Sequence, residues 1–413
     1  MPDSTAVDGG RLLADLERLA RVGAAGSGGV SRPAYSDADL AARDLVRGWM
    51  RDAGLEVRVD AAGNSFGRRD GGVASLPPIV IGSHTDTVPD GGRFDGALGV
   101  LAAIATARTL REHGIELAHP LEVVDFQNEE GGLIGSKILA GRFDAAALSL
   151  VAASGHSLGD GIRRLGGNPD RLNDARRAPG SIAAYVELHI EQGRVLEETP
   201  ADIGVVEGLV GICYWEVTFE GVASHAGTTP MLGRRDALLA AARFVDAVNR
   251  VVTSMPGGHV GTVGRLAVFP GGANVIPGKV VLTLELRDID LAVVARLFER
   301  IEREGRAIAN AAGTSVTFGP PQTNEPSLTD PRVQRAVSRA AESLGLRPLP
   351  MPSGAGHDTQ NMATICPAGM LFVPSVNGIS HSPAEFTRDE DVVNGANVLL
   401  AAVVALDAEL ARG

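Results

Sequence analysis

In the first half of the chain, short continuous apolar segments alternate with segments in which apolar residues recur every three or four positions. The continuous segments are typical of strands buried in a sheet, and the three-to-four spacing is typical of amphipathic helices. This alternation predicts an α/β layered domain with a central mixed sheet and helices on its faces. The predicted elements are helices 38–53 and 98–111 and strands 55–60, 78–83, 121–126 and 185–190.

The middle of the chain has a different pattern, in which apolar and polar residues alternate within longer strands. Its elements follow the order β-α-β-β-α-β, which is typical of a compact ferredoxin-like unit. They are strands 212–220, 261–269, 279–288 and 315–318 and helices 234–249 and 291–310.

A Pro-rich segment, 319–326, is predicted as the linker that leaves this unit. The α/β pattern then resumes with helices 331–344 and 387–411 and strand 369–373. We therefore expect a catalytic domain in two parts, residues 1–211 and 327–413, interrupted by an inserted domain at 212–326.

Composition and charge exclude several classes of protein. Of 413 residues, 44% are apolar and 21% are charged, which is ordinary for a folded chain and excludes disorder. The 38 Lys and Arg against 50 Asp and Glu give a formal charge of −12, which disfavours nucleic acids and anionic membranes. We see no secretory signal and no apolar run approaching the ~20 residues that span a bilayer, so we expect a cytoplasmic protein.

Only two cysteines occur, Cys213 and Cys366, so neither a disulfide framework nor a thiolate zinc site is expected. A metal in this chain must be held by imidazole and carboxylate groups. Five of the nine histidines lie in segments dense in Gly, Ser, Asp or Glu at predicted element ends: His84, His189, His225, His357 and His381. The other four are predicted to be surface or capping residues: His113, His119, His156 and His259.

Acidic residues follow two of the predicted buried strands. His84, Asp86 and Asp95 lie in IGSHTDTVPDGGRFDGALG, and Glu129 and Glu130 lie in VVDFQNEEGG. Open α/β sheets bind ligands at the carboxyl ends of their strands. Of two adjacent glutamates, one can bind a metal while the other accepts a proton from water. A polar turn with an N-cap aspartate and a solvated acidic turn are the structural alternatives.

His189 lies at the end of a predicted strand, and His381 follows another predicted strand. Both are therefore also expected at the carboxyl ends of strands, where ligands bind. Each is also compatible with a purely structural role. Taken with His84 and the carboxylates, they provide three imidazoles and three carboxylates in one domain, enough for two metals that share a carboxylate. No phosphate-loop motif (G-x-x-x-x-G-K-[ST]) offers a different chemistry.

Seven motifs in this order resemble one known family, the amidase/hydantoinase/carbamoylase branch of the M20 dinuclear metallohydrolases. They are IGSHTDTVPDGGRFDGALGV, NEEGG, HIEQG, GVASHAGTTPM, ANVIP, SGAGHD and ISHSP. The branch includes N-carbamoyl-L-amino acid, allantoate and ureidoglycolate amidohydrolases and β-ureidopropionases. The resemblance implies two divalent metal ions per subunit, with Zn, Mn, Co and Ni all compatible with these ligands.

The same resemblance assigns roles to individual residues. It implies that His84, Asp95 and His189 hold one metal and that Asp95, Glu130 and His381 hold the other. Glu129 is then the general base, and Asp86 orients His84. The inserted domain is implied to be a lid and dimerisation domain, so a homodimer is expected.

The inserted domain contributes three further candidates. Arg287 lies on the polar face of its predicted strand, where a planar guanidinium can clamp a substrate carboxylate, and a surface ion pair with Asp288 or Asp290 is the alternative. Asn274 is a candidate substrate contact or simply a turn residue with an unusual backbone angle. His225 resembles the family histidine that stabilises an oxyanion, in its own or the partner's active site. Gln192, in HIEQG, and His357, in SGAGHD, resemble family positions that either contact substrate or surround the ligands.

The expected reaction is hydrolysis of the ureido group of an N-carbamoyl-L-amino acid to the L-amino acid, CO₂ and ammonia. Allantoate, ureidoglycolate and β-ureidopropionate are alternative substrates within the branch. An aminoacylase or peptidase with the same metal pair is a rival from another reaction class, and a metal-free binding protein is the non-enzymatic rival.

Overall fold

The computed structural model describes residues 5–412, which divide into two compact units. The first unit contains the chain up to Glu207 and from Leu328 onward, and the second contains Gly208–Ser327. The helices are α1 (Gly9–Ala20), α2 (Asp37–Asp52), α3 (Ala97–Glu112), α4 (Ile134–Leu139), α5 (Leu158–Arg164), α6 (Val195–Glu198), α7 (Ala237–Ser254), α8 (Leu291–Ala311), α9 (Pro331–Ser343), α10 (Thr359–Met362) and α11 (Asp389–Leu410). Three 3₁₀ helices lie at Ala145–Ser149, Pro169–Ala175 and Val376–Gly378.

The strands are β1 (Glu56–Val59), β2 (Ser65–Arg69), β3 (Ile79–His84), β4 (Leu121–Phe126), β5 (Ala184–Ile190), β6 (Ile203–Leu209), β7 (Gly211–Glu220), β8 (Ser224–His225), β9 (Val260–Phe269), β10 (Val275–Ile276), β11 (Lys279–Asp288), β12 (Ser315–Phe318), β13 (Gln322–Asn324), β14 (Ser327–Leu328), β15 (Pro348–Ser353) and β16 (Ala368–Val373).

A nine-stranded mixed sheet forms the centre of the first unit, in the order β1-β2-β4-β3-β5-β16-β6-β14, with β15 paired to β6. The four central strands, β4, β3, β5 and β16, are parallel to their neighbours within this group. On either side, β2 and β6 run antiparallel to them. The predicted α/β fold with a central mixed sheet is confirmed, and the carboxyl ends of the four central strands lie along one edge.

The central strands are buried on both faces, which explains their continuous apolar sequence. In β3, Ile79 and Ile81 join the main core with α3, α9 and α11, whereas Val80 joins a smaller core on the opposite face with Met362 of α10. This alternation follows from the two-residue period of a strand.

Helix α11 corrects one sequence-based expectation. It is long and apolar enough, by length and composition, to cross a membrane, although no such segment was predicted. Most of its apolar residues are buried in the main core, against α9 and α3. Its hydropathy is therefore that of a core helix.

The second unit contains a five-stranded antiparallel sheet in the order β12-β7-β11-β9, with β13 paired to β7. Helices α7 and α8 pack against one face, where alternate residues of β7 and β11 form the core. The main elements follow the chain order strand, helix, strand, strand, helix, strand.

Three predicted elements differ locally from the structure, and two of these differences have a physical reason. Helix α7 begins at Ala237 rather than at 234, because the Asp236 carboxylate caps it by accepting hydrogen bonds from two backbone N–H groups. The segment 319–326, predicted as a linker, contains β13, because its backbone pairs with β7. Helix α11 begins at Asp389, two residues later than predicted.

Candidate metal centre

The residues proposed as metal ligands all lie at the carboxyl ends of the four parallel strands. His84 is the last residue of β3, and His189 lies near the end of β5. Glu129 and Glu130 follow β4, and His381 follows β16. Parallel strands place these ends along one edge, so residues nearly 300 positions apart become neighbours.

Asp95 lies at the centre of this group, and its two carboxylate oxygens face different partners. Oδ1 lies 3.5 Å from Nε2 of His84 and 3.2 Å from Nε2 of His189. Oδ2 lies 3.3 Å from Nε2 of His381, which is itself 3.4 Å from Oε1 of Glu130. The ligand atoms therefore form two groups, His84/Asp95/His189 and Asp95/Glu130/His381, with Asp95 common to both.

The hydrogen bonds of the two buried imidazoles fit metal binding. Nδ1 of His84 contacts the backbone carbonyl of Asp86 at 3.0 Å, and Nδ1 of His189 contacts that of Ile190 at 2.9 Å. In its neutral form, each ring therefore carries its proton on Nδ1 and leaves the Nε2 lone pair on the side of Asp95, which is how backbone acceptors orient metal-binding histidines. Within residues 5–412, Nε2 of His84 and Oε1 of Glu130 are buried without a hydrogen bond. Imidazole and carboxylate donors in this arrangement suit divalent cations.

Gly96 makes this close approach possible. It has a φ of +62°, and a Cβ atom there would lie 2.4 Å from Nε2 of His84. Its backbone N–H also donates to Nε2 of His189 at 3.1 Å. Helix α3 begins at the next residue, so the Asp95 carboxylate lies at the N-terminus of a 16-residue helix, whose dipole favours an anion.

The electrostatics keep Asp95 ionised. Burial alone would raise the pKa of Asp95, but the imidazoles of His189, His381 and His84 hold it well below its usual range. The Asp95 carboxylate in turn raises the pKa of His381 to about 9. Burial, together with the nearby Asp95, raises the pKa of Glu130 to about 7. The cluster thus has an ionised carboxylate, that of Asp95, at its centre. This negative charge favours the binding of a cation.

Glu129 is placed to act beside this centre. Its carboxylate is buried and reaches within 3.7 Å of Nε2 of His84, yet it belongs to neither ligand group. Burial raises the pKa of Glu129 well above its usual range, and the carboxylates of Asp358 and Glu130 raise it further. A carboxyl group with a raised pKa can both take up and return a proton near neutral pH.

Asp86 orients its neighbours in a different way from the one predicted. Its backbone carbonyl, rather than its carboxylate, makes the hydrogen bond to His84, since the carboxylate lies 3.7 Å from Nδ1. The Asp86 carboxylate instead accepts hydrogen bonds from the backbone N–H groups of Glu129 and Glu130, both at 3.3 Å. Asp86 therefore orients both the loop after β3 and the loop after β4.

Gln192 and His357 also lie in this region. The Gln192 amide donates to Oδ2 of Asp95 at 2.7 Å, so it contacts the shared carboxylate directly. The His357 ring lies 4.4 Å from that of His189, and its two nitrogens are buried without a partner among the described residues. Burial and the nearby His189 lower the pKa of His357 well below its usual value.

In the second unit, His225 and Asn274 are neighbours. Strand β8 pairs with β10 through His225 and Val275, and the Ala226 N–H donates to the Asn274 carbonyl at 2.8 Å. Nδ1 of the exposed His225 ring accepts from the N–H groups of Gly227 and Thr228, so the proton of the neutral ring lies on Nε2. Asn274 is exposed, and the left-handed backbone of this turn belongs to Gly271 rather than to Asn274.

Arg287 lies on β11, half-buried on the face opposite the helices. The buried positions of Leu282, Leu284 and Leu286 confirm that this strand alternates as predicted. Arg287 Nε donates to Oε1 of Glu285 at 2.6 Å, whereas the sequence suggested Asp288 or Asp290 as ion-pair partners. Residues two apart share a strand face, which explains the pairing.

Several supporting residues were missed by the sequence analysis. Arg43 of α2 is fully buried, pairs with Asp39 and Asp125, and donates to the Phe126 carbonyl at the end of β4. A charged i,i+4 pair, Asp39 and Arg43, within the apolar face of a predicted helix was an available signal. Ser380 and Glu385, beside His381, contact the shared carboxylate and the loop that carries it.

Two histidines predicted to be surface or capping residues are buried. His119 contacts the Asp407 carboxylate through Nδ1 at 2.8 Å, and Nε2 of His259 contacts the Val252 carbonyl at 3.0 Å. Each ring is buried because a nearby helix supplies its hydrogen-bond partner, which local sequence does not reveal.

Comparison with known proteins places the chain among hydrolases. The profile of peptidase family M20/M25/M40 matches residues 80–405. An N-carbamoyl-L-amino acid amidohydrolase of Geobacillus stearothermophilus is 44% identical over 398 residues, covering 95% of this chain and 97% of the relative. A ureidoglycolate hydrolase of Arabidopsis thaliana is 37% identical, covering 97% of this chain and 87% of the relative. The crystal structure of an amidase of the hydantoinase/carbamoylase family from Burkholderia multivorans has a TM-score of 0.90 at 42% identity and covers 98% of both chains.

Proposed function

Because the chain belongs to peptidase family M20/M25/M40, we propose that it hydrolyses N-carbamoyl-L-amino acids to the L-amino acid, CO₂ and ammonia. The predicted resemblance to the amidase/hydantoinase/carbamoylase branch is confirmed by the relatives and by the solved structure. The assignment to the hydrolases of carbon–nitrogen bonds is confirmed with it.

The division of Asp95 between two ligand groups is the observation that carries this proposal. His84, His189 and Oδ1 of Asp95 would hold one divalent cation, and His381, Glu130 and Oδ2 of Asp95 the other. Zn, Mn, Co and Ni all suit these donors. The chemistry that such a pair supplies when bound is Lewis-acid polarisation of the ureido carbonyl and a lowered pKa of water.

Glu129 supplies the proton transfers. It takes a proton from the attacking water and returns it to the nitrogen that leaves as the amino group of the amino acid. Cleavage of this carbon–nitrogen bond releases carbamate, which decays to CO₂ and ammonia. The buried position and raised pKa of Glu129 suit both steps, since the same group must act first as base and then as acid.

The second unit supplies groups for the two ends of the substrate. The Arg287 guanidinium would exchange its contact with Glu285 for the substrate carboxylate, which a planar fork can bind in a bidentate way. The Nε2–H of His225 would donate to the oxyanion that forms as water adds to the carbonyl, and Asn274 beside it would hydrogen-bond to substrate. Gln192 and His357 would complete the substrate contacts from the first unit. These roles hold whether the second unit acts in its own subunit or in the partner's.

A homodimer formed through the second unit is part of the proposal. Strand β9 is an edge of the five-stranded sheet and exposes Val260, Leu266 and Phe269. An apolar edge strand favours pairing with a second copy. Light scattering of the purified chain should give twice the monomer mass, and Leu266→Lys should shift it towards the monomer.

A cytoplasmic location is also proposed. Cys213 and Cys366 are both buried and free, as suits a reducing compartment. Cell fractionation should recover the protein with cytoplasmic enzymes.

A steady-state substrate panel tests the reaction. Its members are N-carbamoyl-L-methionine, N-acetyl-L-methionine, L-alanyl-L-methionine, allantoate and ureidoglycolate, each assayed before and after chelation and after Mn²⁺ or Zn²⁺ is restored. We expect the highest kcat/KM for N-carbamoyl-L-methionine, loss of turnover on chelation, and recovery with metal. Turnover confined to the acetyl substrate or the dipeptide would overturn the proposed substrate class and favour an aminoacylase or peptidase.

A second candidate substrate class is favoured by one observation, the ureidoglycolate hydrolase relative at 37% identity over nearly the whole chain. Ureidoglycolate and allantoate also combine ureido groups with a carboxylate, so Arg287 and the metal centre would serve them equally well. Turnover of these two compounds without turnover of N-carbamoyl-L-methionine would assign the chain to this second class.

A further inference from the structure

We propose that Glu385 is a positioning residue. It joins the loop carrying Asp95 to the loop carrying His381 and so fixes the positions of the two ligand groups relative to each other. This inference rests on the proposed metal centre and extends it beyond the ligands. Glu385 is only 5% exposed, although it lies in a loop before α11. A buried carboxylate needs hydrogen-bond donors to offset the loss of solvation.

Those donors come from both loops. Oε1 of Glu385 accepts hydrogen bonds from two consecutive backbone N–H groups, those of Phe94 at 2.9 Å and Asp95 at 3.1 Å. Oε2 accepts from the Ser380 hydroxyl at 2.9 Å. Ser380 precedes His381, so one carboxylate contacts the backbone of one ligand and the neighbour of another.

Ser380 connects the same two loops a second time. Its hydroxyl lies 3.0 Å from Oδ2 of Asp95 and 2.9 Å from Oε2 of Glu385. A hydroxyl has one hydrogen, so it donates to only one of the two carboxylates at a time. The Gln192 amide already donates to Oδ2 of Asp95, so the second lone pair of that oxygen is available to a cation only when the Ser380 hydroxyl donates to Glu385. Without Glu385, the hydroxyl would donate to Asp95 and compete with the cation for that oxygen.

Gly92 shows how closely the Asp95 loop encloses Glu385. A Cβ atom at position 92 would lie 1.9 Å from Cδ, 2.0 Å from Oε1 and 2.3 Å from Oε2 of Glu385. These are the three nearest atoms, so a side chain at 92 would collide with the carboxylate itself. Substitution of Gly92 is therefore an independent way to displace Glu385 while its carboxylate remains present.

Asp407 is a matched control in the same unit. It is also a buried carboxylate that accepts from two consecutive backbone N–H groups, those of Ala118 at 2.9 Å and His119 at 2.8 Å. These residues precede β4 and thus lie at the end of the sheet opposite Glu129 and Glu130. Asp407 provides the same kind of structural support away from the ligands.

The test is a titration of the metal-free full-length chain with Co²⁺, followed by visible absorption and by metal analysis after dialysis. We expect Glu385→Ala and Gly92→Ala each to weaken Co²⁺ binding about tenfold to a hundredfold, as is typical when the partners of metal ligands are lost. Asp407→Ala should lower thermal stability but keep the Co²⁺ affinity of the unmodified chain. Glu385→Gln, which keeps one acceptor oxygen for the two N–H groups, should recover part of the affinity.

A double variant separates positioning from general loss of packing. In the Glu385→Ala background there is no carboxylate for a side chain at 92 to displace, so Gly92→Ala should weaken Co²⁺ binding little further. Unchanged affinity in a folded Glu385→Ala protein would overturn the inference, as would equal losses in Asp407→Ala. Failure of the unmodified chain to bind Co²⁺ would instead overturn the metal centre, and this inference with it.

Discussion

The two units differ in how deeply their proposed functional residues are buried and in how closely these residues contact one another. In the first unit, the ligands meet within hydrogen-bonding distances around one buried carboxylate, and most of them are fully buried. In the second unit, His225 and Asn274 are exposed, and Arg287 is engaged by Glu285. The proposed ligands of the first unit are thus packed against one another, whereas the proposed substrate residues of the second unit are exposed or half-buried.

This difference indicates that the two units have different roles in the proposed reaction. Metal binding and proton transfer need fixed geometry, which burial on a rigid sheet provides. Substrate capture needs groups that are accessible before binding and change partners when substrate arrives, as Arg287 would. Variants in the first unit should therefore affect kcat, and variants that disrupt substrate anchoring in the second unit should affect KM.

The largest effect is expected for Glu129→Gln. The amide cannot accept a proton from water, so kcat should fall about 10²- to 10⁴-fold. Metal content and thermal stability should stay close to those of the unmodified chain, because Glu129 belongs to neither ligand group. Steady-state kinetics with metal analysis on the same sample would check this, and activity within threefold of the unmodified chain would exclude Glu129 as the base.

A somewhat smaller effect is expected for His225→Ala. Loss of one donor to the oxyanion should lower kcat about 10²- to 10³-fold while metal binding is unchanged. This result would show that the second unit contributes to the chemical step as well as to substrate binding. His113, another exposed histidine, serves as control, and His113→Ala should leave the kinetics unaltered.

The smallest of these effects is expected for Arg287→Lys. Lysine keeps the charge but not the bidentate fork, and a charged hydrogen bond stabilises by about 1.5–3 kcal/mol, so KM should rise roughly tenfold to a hundredfold. We expect kcat to change little. Arg250→Lys, in an exposed ion pair with Asp246 on α7 of the same unit, is the matched control. A loss confined to kcat would contradict the assignment of Arg287 to carboxylate binding.

The sequence predicted the four central strands of the first unit because they are continuous apolar runs whose ends are marked by polar residues. His84, Glu129 and Glu130 could be placed at one edge of a sheet from this pattern alone. The contact between Glu385 and Phe94 joins residues 291 positions apart, and no periodicity predicts such a pairing. The β8–β10 pairing that joins His225 to Asn274 involves strands of two residues each, too short to leave a pattern.

The sharing of Asp95 between the two ligand groups is the central claim, and metal stoichiometry tests it most directly. Each variant would be dialysed against Mn²⁺ or Zn²⁺ and its metal content measured. We predict two ions per chain for the unmodified protein, one for His381→Ala and none for Asp95→Ala, because only Asp95 contributes to both groups. Retention of two ions by Asp95→Ala, or loss of only one, would contradict the account.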